Sequence, residues 1–208
     1  PTSPQYTVPS FGQGHVRAIG LANVQGGRWP EVMFANGALE ASTAYKFDKS
    51  LFRPELHSHL ADASDSYAMA LFDIDNDGDT DWVLANGNNE ANTVYRNNGE
   101  GFFELVDILG NYDSRAVAFG DIDSDGDVDL VFANNNDPNT VYLNNGDGTF
   151  RFHSEFPARR SRAVIIHDFN GDGRPDIVFA NRGWRNRIYF NRGFQGQMHA
   201  ARSLLKTR

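Results

Sequence analysis

Three short stretches of the sequence carry oxygen-bearing side chains at alternate positions. They read Asp73-Ile-Asp75-Asn-Asp77-Gly78-Asp79-Thr-Asp81, Asp121-Ile-Asp123-Ser-Asp125-Gly126-Asp127-Val-Asp129 and Asp168-Phe-Asn170-Gly-Asp172-Gly173-Arg174-Pro-Asp176. Side-chain oxygens at positions 1, 3 and 5, a Gly at 6 for a sharp turn, a backbone carbonyl at 7 and a carboxylate at 9 suit one hard cation. Calcium is the expected occupant, because magnesium demands tight octahedral geometry and keeps its waters. Carboxylates this close raise one another's pKa and weaken folding unless a counter-cation is present. The expected ligand set is every Asp of the three loops together with Asn170, with Arg174 entering through its position-7 carbonyl, for about three Ca²⁺ in all. A lone match would read as a solvated acidic turn, but three in register do not. A helix-loop-helix calcium site is excluded, since position 12 holds Leu84, Phe132 and Phe179 where that motif needs a bidentate Glu.

These loops must be held by something that recurs, and the chain repeats itself at a period near fifty. Val32-Met-Phe-Ala-Asn36, Trp82-Val-Leu-Ala-Asn86, Leu130-Val-Phe-Ala-Asn134 and Ile177-Val-Phe-Ala-Asn181 follow one another at steps of 50, 48 and 47. Upstream lie aligned runs starting at Arg17, Tyr67, Arg115 and Arg162, and downstream others starting at Thr43, Thr93, Thr140 and Arg187. Short β-branched and aromatic runs separated by Gly, Asn and Asp are strands joined by turns. Asn97-Asn-Gly99-Glu-Gly101 and Asn144-Asn-Gly146-Asp-Gly148 supply the positive φ of a tight hairpin before a fourth strand. Four strands per period predict an all-β propeller of four-stranded blades, at about 16–62, 66–110, 114–157 and 161–194, forming one domain. A β-sandwich of hairpin pairs would not need one motif repeated four times.

The ends leave ring size open. The last repeat stops near Phe194 without a clear fourth strand, and Gln5-Tyr-Thr-Val8, within the segment 1–15, could complete that blade and close a four-bladed ring. The other reading is part of a seven- or eight-bladed ring. The tail, 195–208, has Met198, Ala201 and Leu205 at helical spacing, though fraying is the simpler expectation. In the first repeat, Asn23-Val-Gln25-Gly-Gly27-Arg28-Trp29-Pro-Glu31 lacks carboxylates at positions 1, 3 and 5 and adds Arg28, so no metal is expected there.

Composition narrows the function. The 208 residues are 40% hydrophobic and 22% charged, the balance of a folded chain, and no apolar run approaches the roughly 18 residues of a membrane helix. The absence of cysteine removes disulfides, thiolate zinc sites and Cys nucleophiles. Net charge is -8, split as -16 over residues 1–150 and +8 over 151–208. That excludes a general nucleic-acid binder and leaves an anionic partner open to the basic end. The sequence opens on Pro1, as expected of a processed chain or one lacking its targeting segment, so the compartment is argued from chemistry. Calcium loops of modest affinity fill outside cells and empty in the cytosol, which favours a secreted or periplasmic setting.

Strand, D-x-D-x-D-G-x-x-D loop, strand and N-N-G-x-G-x-F at this period resemble the FG-GAP or VCBS repeats of the integrin α-subunit head and of fungal and bacterial propeller lectins. The similarity runs from Val16 to Phe194. It implies calcium in Asp73 to Asp81, Asp121 to Asp129 and Asp168 to Asp176, an extracellular or periplasmic setting, and a binding or adhesion role. Such propellers usually have seven or eight blades.

The face opposite the calcium loops presents Asn36, Asn86, Asn134 and Asn181. At that face Arg17, Tyr67, Arg115 and Arg162 begin the innermost strands, where three guanidinium groups and a phenol suit a carboxylate, sulfate or phosphate. The alternative is that they pair with Asp65 and Asp113 and join blades. Trp184, with Arg182, Arg185 and Asn186 beside it, is the candidate sugar platform unless it packs between blades, whereas Trp29 and Trp82 read as core. No H-E-x-x-H, G-x-S-x-G or phosphate loop is present. The expectation is a calcium-stabilised binding module for a glycan or an extracellular protein, lectin-like or adhesive, without membrane insertion and open to homo-oligomerisation. The alternatives are a polysaccharide-lyase-type enzyme on a propeller scaffold and a structural assembly subunit.

Overall fold

The computed structural model describes residues 14–27, 29–48, 53–193 and 199–200, and these contain strands without a helix. Blade 1 is built of β1 (Val16–Ala22), β2 (Glu31–Asn36), β3 (Glu40–Asp48) and β4 (Arg53–Ser64), and blade 2 of β5 (Ser66–Phe72), β6 (Asp81–Asn86), β7 (Ala91–Asn97) and β8 (Phe103–Asn111). Blade 3 follows with β9 (Ser114–Gly120), β10 (Asp129–Asn134), β11 (Asn139–Asn144) and β12 (Phe150–Phe156), and blade 4 with β13 (Ser161–His167), β14 (Asp176–Asn181), β15 (Arg187–Phe190) and β16 (His199–Ala200). Each blade is an antiparallel sheet with its strands in chain order. The four sheets are propeller blades, and the innermost strands touch in the order β1, β5, β9, β13.

Blades pack through the V-F-A-N strands. Met33 and Ala35 of β2 meet Trp82, Leu84 and Tyr95 of blade 2, and Val83 and Ala85 meet Leu130, Phe132 and Tyr142 of blade 3. Val131 and Ala133 in turn meet Ile177, Phe179 and Tyr189 of blade 4. Each middle blade is thus covered on both faces, which is why β6 and β10 are buried along their whole length rather than alternately. On the two outer blades Val32 and Phe34 on one side, and Val178 and Ala180 on the other, stay half-buried.

Polar clamps fasten the blades as well. Asn97, Asn144 and Asn191, at the ends of the third strands, donate from Nδ2 to the carbonyls of Val24, Ile74 and Ile122 in the preceding blade, at 2.8, 2.7 and 2.8 Å. Three of the strand-ending Asn residues that the sequence places on the ligand face, Asn86, Asn134 and Asn181, are occupied elsewhere. Asn86 and Asn134 are buried, accept from Ser66 and Ser114, and donate to the Ala91 and Pro138 carbonyls, closing the turns into the third strands. A side chain saturated inside its own turn is not offered to a ligand.

Two further expectations change. The fourth strand of blade 4 is His199–Ala200, which pairs with Tyr189 and Phe190. A two-residue strand carries no periodic signal, so the tail's contribution was not legible. Trp29 is 52% exposed in the loop before β2, whereas Trp82 is fully buried. The proposed closing strand Gln5 to Val8, Arg28, and the tail apart from His199 and Ala200 lie outside the described residues.

Candidate metal loops and a candidate ligand face

The aspartate loops join the first and second strands of blades 2, 3 and 4. Their ninth residue does structural work first: Asp81 Oδ2 accepts from Ile74 N at 2.8 Å and Oδ1 from Asn97 N at 2.8 Å. Asp129 does the same with Ile122 and Asn144, and Asp176 with Phe169 and Asn191. Position 1 folds the turn, since Asp73 accepts from Asp77 N and Gly78 N, and Asp121 from Asp125 N and Gly126 N. Gly78 and Gly126 take φ of 94° and 100°, a region costly to any residue with a Cβ. The third-strand hairpins lie against these loops, because a Cβ on Gly99 would come within 2.7 Å of Asp79 and one on Gly146 within 2.9 Å of Asp127.

Asp73, Asp75 and Asp81 each bring an oxygen to within 4.8 Å of the others, and so do Asp121, Asp123 and Asp129. These two groups can hold a metal ion. The donor set fits one in a second way: Asp75 Oδ1 and Asp123 Oδ1 are buried and without a hydrogen-bond partner, which is costly for a carboxylate oxygen. Arg96 and Arg151 approach the other oxygens at 3.7 Å, beyond hydrogen-bond reach. Burial, then the neighbouring Asp77 and Asp125, pushes the Asp75 and Asp123 carboxyls up. Burial raises Asp81 and Asp129 to about 6 against the pull of their backbone donors. Positions 5 and 7, Asp77, Asp79, Asp125 and Asp127, stand outside these tight groups.

The third loop is filled differently. Arg174 turns its guanidinium back onto Asp172 Oδ2 at 2.6 Å and donates from Nε to the Asn191 carbonyl at 3.1 Å. Asn170 replaces the central carboxylate and donates to Asp172 Oδ2. Asp168 accepts from the backbone of Gly173, Gly171, Asp172 and Asn170, Gly173 first, and these donors pull its carboxyl below the usual range. Arg174 therefore meets this loop with its side chain and not with its carbonyl alone, as the spacing suggested.

Calcium uptake should follow the raised carboxyls. A folded pKa above the unfolded value means that the native state holds the proton more tightly, so between roughly pH 4 and 6 stability without metal falls as pH rises. A cation that displaces those protons gains over the same window. The rise in Tm on adding calcium is expected to be largest at pH 7 to 8 and to shrink towards pH 5. A pH-independent rise in differential scanning calorimetry would contradict the assignment of Asp81 and Asp129.

At the opposite face, a register shift in every innermost pairing leaves one residue unpaired with the second strand: Arg17, Tyr67, Arg115 and Arg162. Such a bulge re-aims the side chain it carries. Arg17 and Arg115 stack on the two sides of the Tyr67 ring, each 3.6 Å from its centroid. Arg17 also pairs with Asp65 at 2.6 Å and Arg115 with Asp113 at 2.5 Å. Three of the four candidate residues are thus together, with their charges met by carboxylates. Arg162 makes no ion pair among the described residues.

Trp184 is 58% exposed in the turn between β14 and β15, with Arg185 exposed beside it. Asn186 is spent on the turn, accepting from Asn181 N. The partners of Trp184 come from the preceding connection, because the Arg159 guanidinium lies 5.1 Å from its ring centroid. A cavity of about 420 Å³ is lined by Asn136, Ala158, Arg159, Arg160 and Trp184. Sequence reading places Asn136 on this face with Trp184 but misses Arg159 and Arg160. The available signal was the linker residue, which is Asp65 before blade 2 and Asp113 before blade 3 but Arg160 before blade 4.

The family model of the FG-GAP-like repeat matches residues 73–132, 121–165 and 168–205. No curated protein matches the sequence. A lectin of Agrocybe aegerita that recognises non-reducing terminal N-acetylglucosamine superposes with a TM-score of 0.56 at 18% identity, over 93% of this chain and 53% of that one. BBS1N, in complex with ARL6DN, gives 0.59 at 12% identity over 90% and 56%. The V. cholerae biofilm matrix protein Bap1 gives 0.55 at 17% identity over 83% and 26%. At these identities the likeness is one of fold. The chain spans about half the length of the first two and about a quarter of the third.

Proposed function

The chain belongs to the FG-GAP-like repeat family, and from that premise we propose that it is a calcium-stabilised propeller module that binds glycans outside cells. The observation that carries the reading is the exposed indole of Trp184 over a cavity bordered by guanidinium and amide groups, the combination a sugar ring and its hydroxyls require. Calcium belongs to the scaffold, held by Asp73, Asp75 and Asp81 in blade 2 and by Asp121, Asp123 and Asp129 in blade 3. When bound, it supplies the positive charge that lets these carboxylates stay ionised together. The Arg174 guanidinium supplies that charge in blade 4, which makes the stoichiometry two. Among the matched folds, a lectin and a biofilm matrix protein are compatible with a lectin-like or adhesive role and with secretion.

A glycan array probed with labelled protein in calcium tests the reading. Selective binding is expected, reduced at least tenfold by Trp184→Ala in a protein that melts like the parent. Binding unaffected by that change would move the site elsewhere, and product release from any polysaccharide would favour an enzyme.

A further inference from the structure

The junction between blades 3 and 4 differs in sign from the other two. Before blades 2 and 3 the connecting residue is a carboxylate that reaches back to the preceding blade: Asp65 accepts from Ala38 N at 2.8 Å, and Asp113 from Asn88 N at 2.9 Å. Before blade 4 the same place is taken by Arg160, with φ of 53°, whose Nε donates to Asn136 Oδ1 at 2.7 Å. The contact across the junction is preserved with its polarity reversed. Bound through Nε, the guanidinium keeps its terminal nitrogens as donors at the cavity.

Arg159 adds a second cation next door, half-buried and held against the face of Trp184. Among the described residues, the cavity lining contains no carboxylate to neutralise either charge. Its volume, about 420 Å³, lies in the range of roughly 300–1,000 Å³ usual for small-ligand sites. An open aromatic face offers a platform for the apolar side of a pyranose, and two guanidinium groups beside it suit a planar or tetrahedral oxyanion.

We propose that the cavity between blades 3 and 4 binds an acidic saccharide, whose sugar ring stacks on Trp184 while its carboxylate or sulfate is held by Arg159 and Arg160. This rests on the glycan-binding reading above and narrows it to one charge class. Arg160 selects, because an Asp there, as at the other two junctions, would repel the same ligand. Asn136 positions Arg160 and touches the ligand through its neighbour.

The test is titration calorimetry of the calcium-loaded protein with tri-galacturonic acid, its neutral methyl ester and a sulfated galactan disaccharide. At least one acidic probe is expected to bind ten times or more tighter than the ester, and affinity should fall as salt rises. Arg159→Gln and Arg160→Gln should each remove most of that preference while leaving Tm unchanged, since both side chains reach solvent. A carboxylate ligand is identified by tri-galacturonic acid binding alone, a sulfate by the disaccharide alone. Equal binding of acid and ester overturns the charge class and leaves glycan binding standing. Absence of binding by all three, together with a blank glycan array, overturns both. Acid binding undiminished in both arginine variants would place the anion away from this cavity and overturn the proposal.

Discussion

Removing calcium with a chelator at neutral pH is expected to lower the Tm of this protein by about 10–20 °C. A ligand at a hundredfold excess over its Kd stabilises the native state by about 2.7 kcal/mol per site, so two sites contribute about 5 kcal/mol. For a domain near this size each kcal/mol moves Tm by roughly 2–4 °C. The effect originates in buried oxygens that have no other partner, Asp75 Oδ1 and Asp123 Oδ1. Asp123→Asn is expected to remove about half of the calcium increment and one equivalent of binding. Asp172→Asn in the third loop should leave both untouched, because the Arg174 guanidinium already sits on that carboxylate. Three equivalents by equilibrium dialysis, or a Tm indifferent to chelator, would refute the assignment.

Asn144→Ala should cost about 3 kcal/mol, among the largest losses available from one polar side chain. Asn144 Nδ2 donates to the Ile74 carbonyl at 2.7 Å and the Val128 carbonyl at 3.2 Å, and its Oδ1 accepts from Gly146 N at 2.9 Å. The residue is buried, so truncation strands those groups away from water at about 1 kcal/mol or more each. Asn144→Asp is expected to be worse, since it aims carboxylate oxygens at two carbonyls and adds charge beside Asp129, already raised to about 6. Urea denaturation reads both, and a loss below 1 kcal/mol for Asn144→Ala would show that the clamp is dispensable.

The repeat made the fold readable. Four apolar runs ending in Ala-Asn at near-constant steps specify four equivalent second strands, and the intervening aspartate loops and Asn-Gly hairpins fix the strands on either side. The same repetition marks the loops as candidate cation sites. What the spacing could not convey was competition for the same oxygens. Arg174 at position 7 looks, in one dimension, like any residue offering a carbonyl, and only folding back over two residues brings its charge onto Asp172. Asn86 and Asn134 read as surface amides because the hydroxyls that engage their oxygens, Ser66 and Ser114, lie 20 residues upstream. The same distance hid the Trp184 cavity, whose two arginines precede blade 4 while the indole follows its second strand. The repeat groups Arg17, Tyr67, Arg115 and Arg162; the structure brings the first three together, but their stacking depends on a bulge no periodicity records.

Phe47 occupies in blade 1 the place held by Asn97, Asn144 and Asn191 in the others, and it is 49% exposed. Every amide clamp therefore points from a later wedge to an earlier one, and the series starts without a hook. A wedge joined ahead of blade 1 would lack this amide clamp, whereas one joined past blade 4 would meet the Phe169 carbonyl, the counterpart of those already used at Ile74 and Ile122. The clamp is thus directional: a wedge past blade 4 would find its acceptor already in place, whereas one ahead of blade 1 would be hooked in the same way only after a Phe47→Asn change.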